Sequence, residues 1–506
     1  MKKLSHNIIF NLAGNAFVIL YSVLLLPAVL STLGAEAAGV IGLYNTLFAA
    51  LAFFDLGFGL LANREISKNI VKNKFDKNIL NLISTLEILY WIISFIILLI
   101  IYFAAPYISE NILSAETFSD KELIFFIRLI AVSMFFRWPI SFYFNINSGL
   151  QNLVGVNIIK MIVYLILMLS LYYLIIVMAF DIGEYLIVIA FTNFLLVASY
   201  FYFSKKKLGF KNTLIFKYNT LKGHFTYALG SMVISTLTLL FIQLDKIYLT
   251  KLGNLSDLGI YTVLFSLSIG IVQIVYPVTY AFFPKINELI VAQKRDELLE
   301  KVKTISSILI LISFCFLVLF FSFREEILSL WIGELNSEDT QNLFLILVLA
   351  GCIYATAQIP YLIESALGKV KFVMKYFIFS NILYLGCLYV FSNMLELKGV
   401  AISYLLAICL YFVGAIYLFN KNLGIKFTLN WLKNIMVNIL ISSILIIIIR
   451  LIKLKIIDGF LAIAIEIGLS MIIVILILVL FNSNLRLSIA KKSIEIIKYA
   501  SIKQKK

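Results

Sequence analysis

The chain has 506 residues, of which 62% are hydrophobic and only 14% are charged, with a formal net charge of +15. Soluble domains carry about a quarter charged residues, so this composition excludes a protein that faces water on all sides. The two histidines and the four dispersed cysteines give no metal-ligand spacing and no disulfide framework. Because no phosphate-binding Gly-x-x-x-x-Gly-Lys-Ser/Thr loop occurs either, we predict no metal site and no ATPase site.

Apolar runs of about 20 residues, the length that crosses a bilayer as an α-helix, recur along the whole chain. The first run lacks a signal-peptide cleavage site, so we interpret it as a retained helix. The pattern predicts an all-α polytopic membrane protein with about fourteen transmembrane helices. The predicted spans are 8–30, 39–61, 82–103, 123–144, 157–177, 185–203, 225–250, 258–283, 304–323, 340–363, 373–392, 399–419, 434–452 and 459–481.

The connections between the spans differ in positive charge. With the N-terminus placed in the cytoplasm, the inner segments hold roughly five times as many Lys and Arg residues as the outer ones. This bias predicts a membrane protein with both termini in the cytoplasm, and it accounts for the net charge without a nucleic-acid partner. The C-terminal end, 485–506, is predicted either as an amphipathic helix on the inner leaflet or as a solvated basic tail.

Short motifs recur along the chain at a nearly constant offset. His6 and His224 are separated by 218 residues, and Leu33-Gly34 recurs as Leu252-Gly253 after 219 residues. Six predicted spans separate equivalent points, so both copies enter the membrane in the same direction, as in transporters built from parallel repeats. The predicted parts are an N-lobe at 1–204, a cytoplasmic linker at 205–224, a C-lobe at 225–420, a helix pair at 434–481 and a basic cytoplasmic tail at 482–506.

Several short motifs of the sequence resemble those of a known protein family. They are Leu33-Gly34, Asp55-Leu56-Gly57-Phe58-Gly59 with Asn63-Arg64, and Asp245-Lys246 followed by Gly259-Ile260-Tyr261. They resemble motifs of the polysaccharide-export (O-antigen) flippases in the multidrug/oligosaccharidyl-lipid/polysaccharide exporter superfamily. The resemblance implies a MATE-like fold of two six-helix lobes plus a C-terminal helix pair. It also implies transport of an undecaprenyl-pyrophosphate-linked oligosaccharide, an O-antigen or capsule repeat unit, to the outer leaflet by alternating access.

The same resemblance implies that the chain lies in a bacterial inner (plasma) membrane, and it implies which molecules surround the chain there. Its partners would be the lipid-linked oligosaccharide, membrane lipids and the polymerase or assembly proteins of the glycan. No cofactor is expected, and transport would be coupled to protons, sodium ions or the membrane potential.

Charged residues within the spans are the candidate functional residues, since each costs at least about 2.5–3.5 kcal/mol near the bilayer centre. Arg137 is the strongest candidate because it lies in the middle of the fourth span beside Trp138 and Pro139. The planar guanidinium of an arginine can bind phosphate oxygens with two hydrogen bonds. We predict that Arg137 binds the pyrophosphate, and the alternative is a buried arginine paired with an acid such as Glu87.

The remaining candidates fall into two groups. Arg128, Lys246 and Asn15 are predicted to contact substrate. Asp55, Arg64, Asp245 and Glu466 are predicted to act in gating or coupling. For Asp245-Lys246 a structural lock is the alternative, and adjacent side chains on a helix need not pair with each other. Lys160 and Glu87 are interpreted as residues that extend to the cytoplasmic surface.

Two other functions compete with a flippase. A drug or metabolite antiporter of the same superfamily would need an acidic cavity for cations, whereas basic residues outnumber acidic ones in these spans. A membrane glycosyltransferase or polymerase would need a large outer domain, but the longest predicted outer connection is only 104–122. We therefore predict a transporter without catalytic residues.

Overall fold

The computed structural model describes residues 2–51, 57–70, 77–177, 181–208, 216–217, 225–333, 336–367, 370–452 and 460–481. Within these ranges the chain forms sixteen helices. The first eight are α1 (Lys2–Leu33), α2 (Ala35–Ala50), α3 (Phe58–Ile70), α4 (Lys77–Asn111), α5 (Asp120–Gly149), α6 (Leu153–Val177), α7 (Ile182–Leu208) and α8 (Phe225–Leu252). The others are α9 (Leu255–Val291), α10 (Arg295–Ser322), α11 (Arg324–Ile332), α12 (Glu338–Thr356), α13 (Gln358–Ala366), α14 (Val370–Leu423), α15 (Ile425–Ile452) and α16 (Phe460–Phe481).

The helices form two compact units, Met1–Val263 and Leu264–Lys506. In the first unit α5 packs against α4 and α7, α1 packs against α6, and α2 packs against α8. In the second unit α10 contacts α12, α15 and α16, while α14 packs against α12. The linker predicted at 205–224 falls inside the first unit, and the lobe boundaries remain a prediction of the sequence repeat.

Ten helical segments of the described chain are long and apolar enough to cross a membrane. The count of fourteen is not reproduced directly, because some predicted spans are divided and others are merged. The predicted span 39–61 appears as α2 and α3 on either side of 52–56, which lies outside the described residues. The predicted last span corresponds to a shorter apolar helix, Glu466–Leu480.

Helix α14 contains two of the predicted spans, folded back on each other. Its backbone leaves the helical region at Glu396, where φ is 49°. The ring centroids of Phe372 and Tyr417 lie 4.9 Å apart, and those of Tyr384 and Tyr404 lie 6.3 Å apart, so the two arms run antiparallel. A Cβ on Gly399 would lie 1.9 Å from the carbonyl oxygen of Phe391, which explains the glycine at this turn. The predicted spans 373–392 and 399–419 therefore form a helical hairpin.

Apolar side chains are exposed in stripes along the outer helices. On α4 the stripe comprises Ile92, Phe95, Ile96, Leu99 and Phe103, the last 74% exposed. Residues at this spacing share one face of a helix, and exposed faces of this kind are the ones that contact lipid in membrane proteins. The ten apolar segments and these stripes make the chain a multi-pass membrane protein.

Two repeated Leu-Gly motifs make equivalent helix corners. Gly34 precedes α2 with φ of 90°, and Gly253 precedes α9 with φ of 87°, a region that favours glycine. Close beyond these corners α2 contacts the start of α9, where a Cβ on Gly39 would lie 2.0 Å from the backbone oxygen of Leu255. The loop between α4 and α5 joins this contact, because the Ser114 backbone N–H donates to the Gly253 oxygen at 2.6 Å.

Candidate functional site

Arg137 lies on α5 two residues before a proline. Because Pro139 has no N–H, the carbonyl of Phe135 has no helical partner, and the hydroxyl of Ser94 on α4 donates to it at 2.5 Å. This bond from α4 satisfies the carbonyl that proline leaves free, and α5 continues without a break to Gly149. Arg137 therefore lies on a helix that is held by a hydrogen bond from the neighbouring helix α4.

The guanidinium of Arg137 is held by neutral groups of α2. Its carbon lies 4.0 Å from the ring centroid of Phe48 and 4.6 Å from that of Tyr44. Its Nη1 donates to Oδ1 of Asn45 at 3.4 Å. Ring faces attract a cation without neutralising its charge, and the remaining N–H groups of the guanidinium form no hydrogen bond with a described residue.

The tyrosine beside Arg137 is fixed by a small polar network. The Nδ2 of Asn193 on α7 donates to the Tyr44 hydroxyl and to the Ser133 hydroxyl, both at 2.9 Å. All three side chains are buried. The network therefore holds α2, α5 and α7 together behind Arg137, and the position of the charge is set before any ligand arrives.

Lys160 on α6 brings a second positive charge to this part of the first unit. Its Nζ donates to Oδ1 of Asn15 on α1 at 2.8 Å. Tyr164, one turn further along α6, is close enough to Arg137 to interact with its charge. Tyr164 also packs edge-on against Tyr21, whose hydroxyl is 2.7 Å from that of Tyr185. Lys160 thus contacts the opposite helix rather than extending to the surface, and it brings the candidate Asn15 into the same site.

We refer to Arg137, Lys160 and the neutral groups that hold them as the cationic site. Neither Arg137 nor Lys160 forms an ion pair with any described residue. Two positive charges within spans, held by amide oxygens and aromatic rings, favour the binding of an anion with several oxygen acceptors.

Glu87 is not the partner of Arg137. Its side chain is only 2% exposed, which excludes the predicted extension to the cytoplasmic surface. It forms an ion pair of 2.6 Å with Lys205 on α7 and accepts a hydrogen bond of 2.8 Å from the hydroxyl of Tyr143. The sequence did not indicate this pair, because 118 residues separate its members and Lys205 stands in a run of three lysines.

Asp245 and Lys246 are both buried and do contact each other. The Nζ of Lys246 lies 3.1 Å from Oδ1 of Asp245, whose other oxygen accepts from the hydroxyl of Tyr261 at 2.7 Å. Their adjacent positions on α8 do not prevent the contact, because the long lysine side chain bends back toward the preceding turn. Within the described residues this arrangement fits the alternative of a structural lock, and a role in substrate contact or coupling stays a prediction.

The structure does not bring the other predicted residues to the cationic site. Arg128 lies against the ring of Tyr102 at 4.7 Å, and Arg64 is exposed, 3.9 Å from Glu65. Glu466 lies on α16 in the second unit and forms no ion pair with a described residue. Asp55, most of the linker 205–224 and the tail 482–506 lie outside the described residues.

Comparison with solved structures identifies the fold. The lipid II flippase MurJ, in an inward closed conformation, is similar with a TM-score of 0.64 at 15% identity, over 94% of this chain and 99% of that one. An inward-facing multidrug resistance MATE family transporter of the MOP superfamily gives a TM-score of 0.60 at 15% identity, over 85% and 95%. The Vibrio cholerae MATE transporter VcmN, in its bent form, gives 0.57 at 17% identity, over 83% and 96%. These similarities confirm the predicted all-α, MATE-like fold.

Sequence comparison identifies the family. No curated protein matches the sequence. A family model described as "Polysaccharide biosynthesis protein" matches residues 4–290, more than half of the chain and the whole of the cationic site. The chain therefore belongs to the polysaccharide biosynthesis protein family.

Proposed function

We propose that this protein is a flippase of a bacterial inner membrane that moves an undecaprenyl-pyrophosphate-linked oligosaccharide from the cytoplasmic to the outer leaflet. The oligosaccharide is a repeat unit of an O-antigen or a capsule. The headgroup enters the cationic site while the lipid tail stays in the bilayer, and the protein then opens to the other side. No bond is made or broken, so the protein contributes binding and conformational change only.

The observation that supports this proposal is the charge of the cationic site. A pyrophosphate loses its hydration when it leaves water, and that loss is prohibitive unless cations and hydrogen-bond donors replace it. Arg137 offers the N–H groups that Asn45 does not use, and Lys160 adds an ammonium. Tyr164 lies near Arg137 and packs against Tyr21, whose hydroxyl lies 2.7 Å from that of Tyr185, and these rings and hydroxyls are proposed to contact the first sugar.

A cation antiporter of the same superfamily is the competing function, since the structural neighbours include multidrug transporters. Such a transporter needs carboxylates that face its substrate. In the described part of the first unit, the buried Glu87 and Asp245 are each engaged by a lysine. Neither Arg137 nor Lys160 has a carboxylate partner among the described residues, which favours an anionic substrate.

The proposal is tested by replacing Arg137 in cells that depend on this protein for their surface glycan. Arg137→Ala should abolish surface glycan, and Arg137→Lys should restore only part of it, because a lysine supplies the charge without the planar pair of donors. Lys206→Ala is the matched control, since Lys206 is an exposed cation of α7. Surface glycan is measured per unit of membrane-inserted protein.

The results separate the proposed function from a folding defect. If Arg137→Ala reaches the membrane in normal amount and export is lost, the cationic site is needed for transport. Normal surface glycan in Arg137→Ala at the wild-type protein level would contradict the proposal.

A further inference from the structure

The starts of α2 and α9 contact each other through glycines. A Cβ on Gly259 of α9 would lie 1.9 Å from the backbone oxygen of Ala35, and a Cβ on Gly39 of α2 would lie 2.0 Å from that of Leu255. Small residues of this kind let two helices approach closely within a membrane. The two helices follow the two copies of the Leu-Gly motif, at the ends that the distribution of Lys and Arg places on the outer side. Equivalent ends of the two copies therefore meet near the outer surface.

The contact between α2 and α9 leaves one polar group without a partner. The hydroxyl of Thr262 on α9 faces α2, because a Cβ on Gly42 would lie 2.6 Å from it. Thr262 is 5% exposed, and its hydroxyl forms no hydrogen bond with a described residue. A buried hydroxyl without a partner is unfavourable, and separation of the two helices would expose it to water. A third segment that bonds to both helices would therefore stabilise the closed contact.

The loop between α4 and α5, residues 112–119, is such a segment, and we refer to it as the outer strap. Its first half is bound to the corner that precedes α9. The backbone N–H and the hydroxyl of Ser114 both donate to the Gly253 oxygen, at 2.6 and 3.0 Å, and the Leu255 N–H donates to the Ser114 oxygen at 3.3 Å. A Cβ on Gly253 would lie 2.8 Å from the Ile112 oxygen, so the strap lies directly against this glycine.

The second half of the outer strap is bound to the first turn of α2. The carboxylate of Glu36 accepts hydrogen bonds from the backbone N–H groups of Glu116 and Thr117 and from the Thr117 hydroxyl. The base of the strap is closed as well, because the hydroxyl of Ser109 at the end of α4 donates to the backbone oxygen of Asp120 at 3.3 Å. One loop, held at its base by α4 and α5, thus bonds to the starts of both α2 and α9.

We infer that the outer strap holds the starts of α2 and α9 together and thereby closes the transport pathway toward the outer face. Glu36 acts as a positioning residue, because it fixes the strap on α2 and so directs Ser114 toward the corner of the second copy. Opening toward the outer face breaks the bonds of Ser114 to Gly253 and Leu255, while the strap stays with α2. The inference rests on the alternating access proposed above, but it is independent of which substrate is carried.

Labelling of a cysteine inside the contact tests this inference. Thr262→Cys is introduced into the full chain after its four cysteines are replaced by serine, and a membrane-impermeant maleimide is added outside right-side-out membrane vesicles. The labelling rate reports how often the contact between α2 and α9 opens. Ser114→Ala should raise this rate about threefold, because it removes one neutral hydrogen bond. The double variant Glu36→Ala/Ser114→Ala should raise it about tenfold or more, because the strap also loses its charged acceptor.

Glu116→Gln serves as the matched control, since it removes a charge from the strap while its exposed side chain takes no part in the bonds described above, and it should leave the labelling rate unchanged.

A chain in which Cys352 is the only cysteine controls for unfolding, because this residue is buried in the second unit and should stay unlabelled in every variant. If the double variant exposes Cys352, the single variant Ser114→Ala decides. Equal labelling of Thr262→Cys in the parent chain and in the folded variants would overturn the inference. That result would leave the cationic site untouched, and normal export by Arg137→Ala would leave the labelling rates unchanged, because no substrate is added.

Discussion

Lys205 and Arg137 both carry a positive charge in helices of the first unit, and their surroundings differ in one respect. Lys205 lies 2.6 Å from the carboxylate of Glu87, and both side chains are almost fully buried. Arg137 lies against two aromatic rings and one amide oxygen. A buried pair is neutral as a whole and offers little to a charged ligand. A cation held by neutral groups keeps its charge, so the comparison supports a structural role for Lys205 and is consistent with the proposed role of Arg137 in binding an anion.

Equivalent lysines in the two halves of the sequence repeat form ion pairs with carboxylates on different helices. Lys205 and Lys421 are equivalent at an offset of 216 residues, close to the offsets of the repeated motifs. Lys205 is paired with Glu87 of α4, whereas Lys421 is paired with Glu364 of α13 at 3.0 Å. Lys421 remains 35% exposed and Lys205 only 10%. The position of the cation is thus repeated, while the helix that supplies its carboxylate is not.

The largest effect is expected when the buried pair of the first unit is broken. Glu87→Gln leaves Lys205 buried without a counter-charge, which should lower the free energy of unfolding by about 3–5 kcal/mol. Thermal unfolding in detergent measures the change. The double variant Glu87→Gln/Lys205→Met should recover much of the loss, because no unpaired charge remains. If the single variant is as stable as the wild type, the pair is not structural and the comparison with Arg137 fails.

The next largest effect is expected when the charge of Lys160 is removed, and it should lower transport without affecting the fold. In Lys160→Gln the new amide can still donate to Asn15, but the positive charge is lost. Export should fall by about tenfold or more, in line with about 1.5–3 kcal/mol for a hydrogen bond to a charged group. Surface glycan per unit of membrane protein provides the measurement. Lys160→Arg is the control and should stay close to the wild type, whereas normal export by Lys160→Gln would remove Lys160 from the site.

The sequence predicts the fold better than it predicts these pairings. Runs of apolar residues and repeated motifs are local or periodic signals, and Gly34 and Gly253 have the matching conformations that their motifs indicate. The partner of a buried charge depends on which helices pack together, and no local signal fixes that. For this reason the sequence indicates a surface position for Glu87, although its side chain is buried against Lys205 of α7.

The sequence indicates one residue of the cationic site and does not indicate its partners. Arg137 is identified by its position in the middle of a span, next to a proline. Its partners Tyr44 and Phe48 on α2 do not stand out in a chain with 27 tyrosines and 43 phenylalanines. The position of Lys160 near the end of a predicted span indicates a side chain that extends to the cytoplasmic surface. Only the packing of α1 against α6 reveals that its ammonium faces Asn15.

A smaller effect is expected at the pair of the second unit. Glu364→Gln removes the charge opposite Lys421, but this lysine is 35% exposed and can reach water. Asn422 can still donate to the new side chain, as it donates to Glu364 at 2.7 Å. The free energy of unfolding should fall by only about 1–2 kcal/mol. Equal losses in Glu364→Gln and Glu87→Gln would show that the difference in exposure has no energetic consequence.

The smallest effect concerns Glu36, a carboxylate outside the spans whose partners are neutral donors. It accepts hydrogen bonds from the backbone N–H of Glu116 at 2.6 Å and of Thr117 at 3.1 Å, and from the Thr117 hydroxyl. Burial raises the pKa of Glu36, but the Thr117 side chain and these backbone groups lower it by more, so its net pKa lies below the ordinary 4.5. A lowered pKa gives stability that is present above the unfolded value and lost as the pH falls through the folded value.

Glu36→Gln should therefore destabilise the protein by about 1 kcal/mol at neutral pH, since an amide is a weaker acceptor and brings an N–H₂ group among donors. As the pH falls below the ordinary pKa of 4.5, the difference from the wild type should shrink, because the stability that comes from the lowered pKa of Glu36 is then progressively lost. Thermal unfolding in detergent across this range provides the measurement, with the exposed Glu110→Gln as control. A stability difference that stays constant down to the lowest pH would mean that the charge of Glu36 does not contribute to stability. A carboxylate held by neutral donors would then differ from the cations of the cationic site, whose charge is proposed to matter.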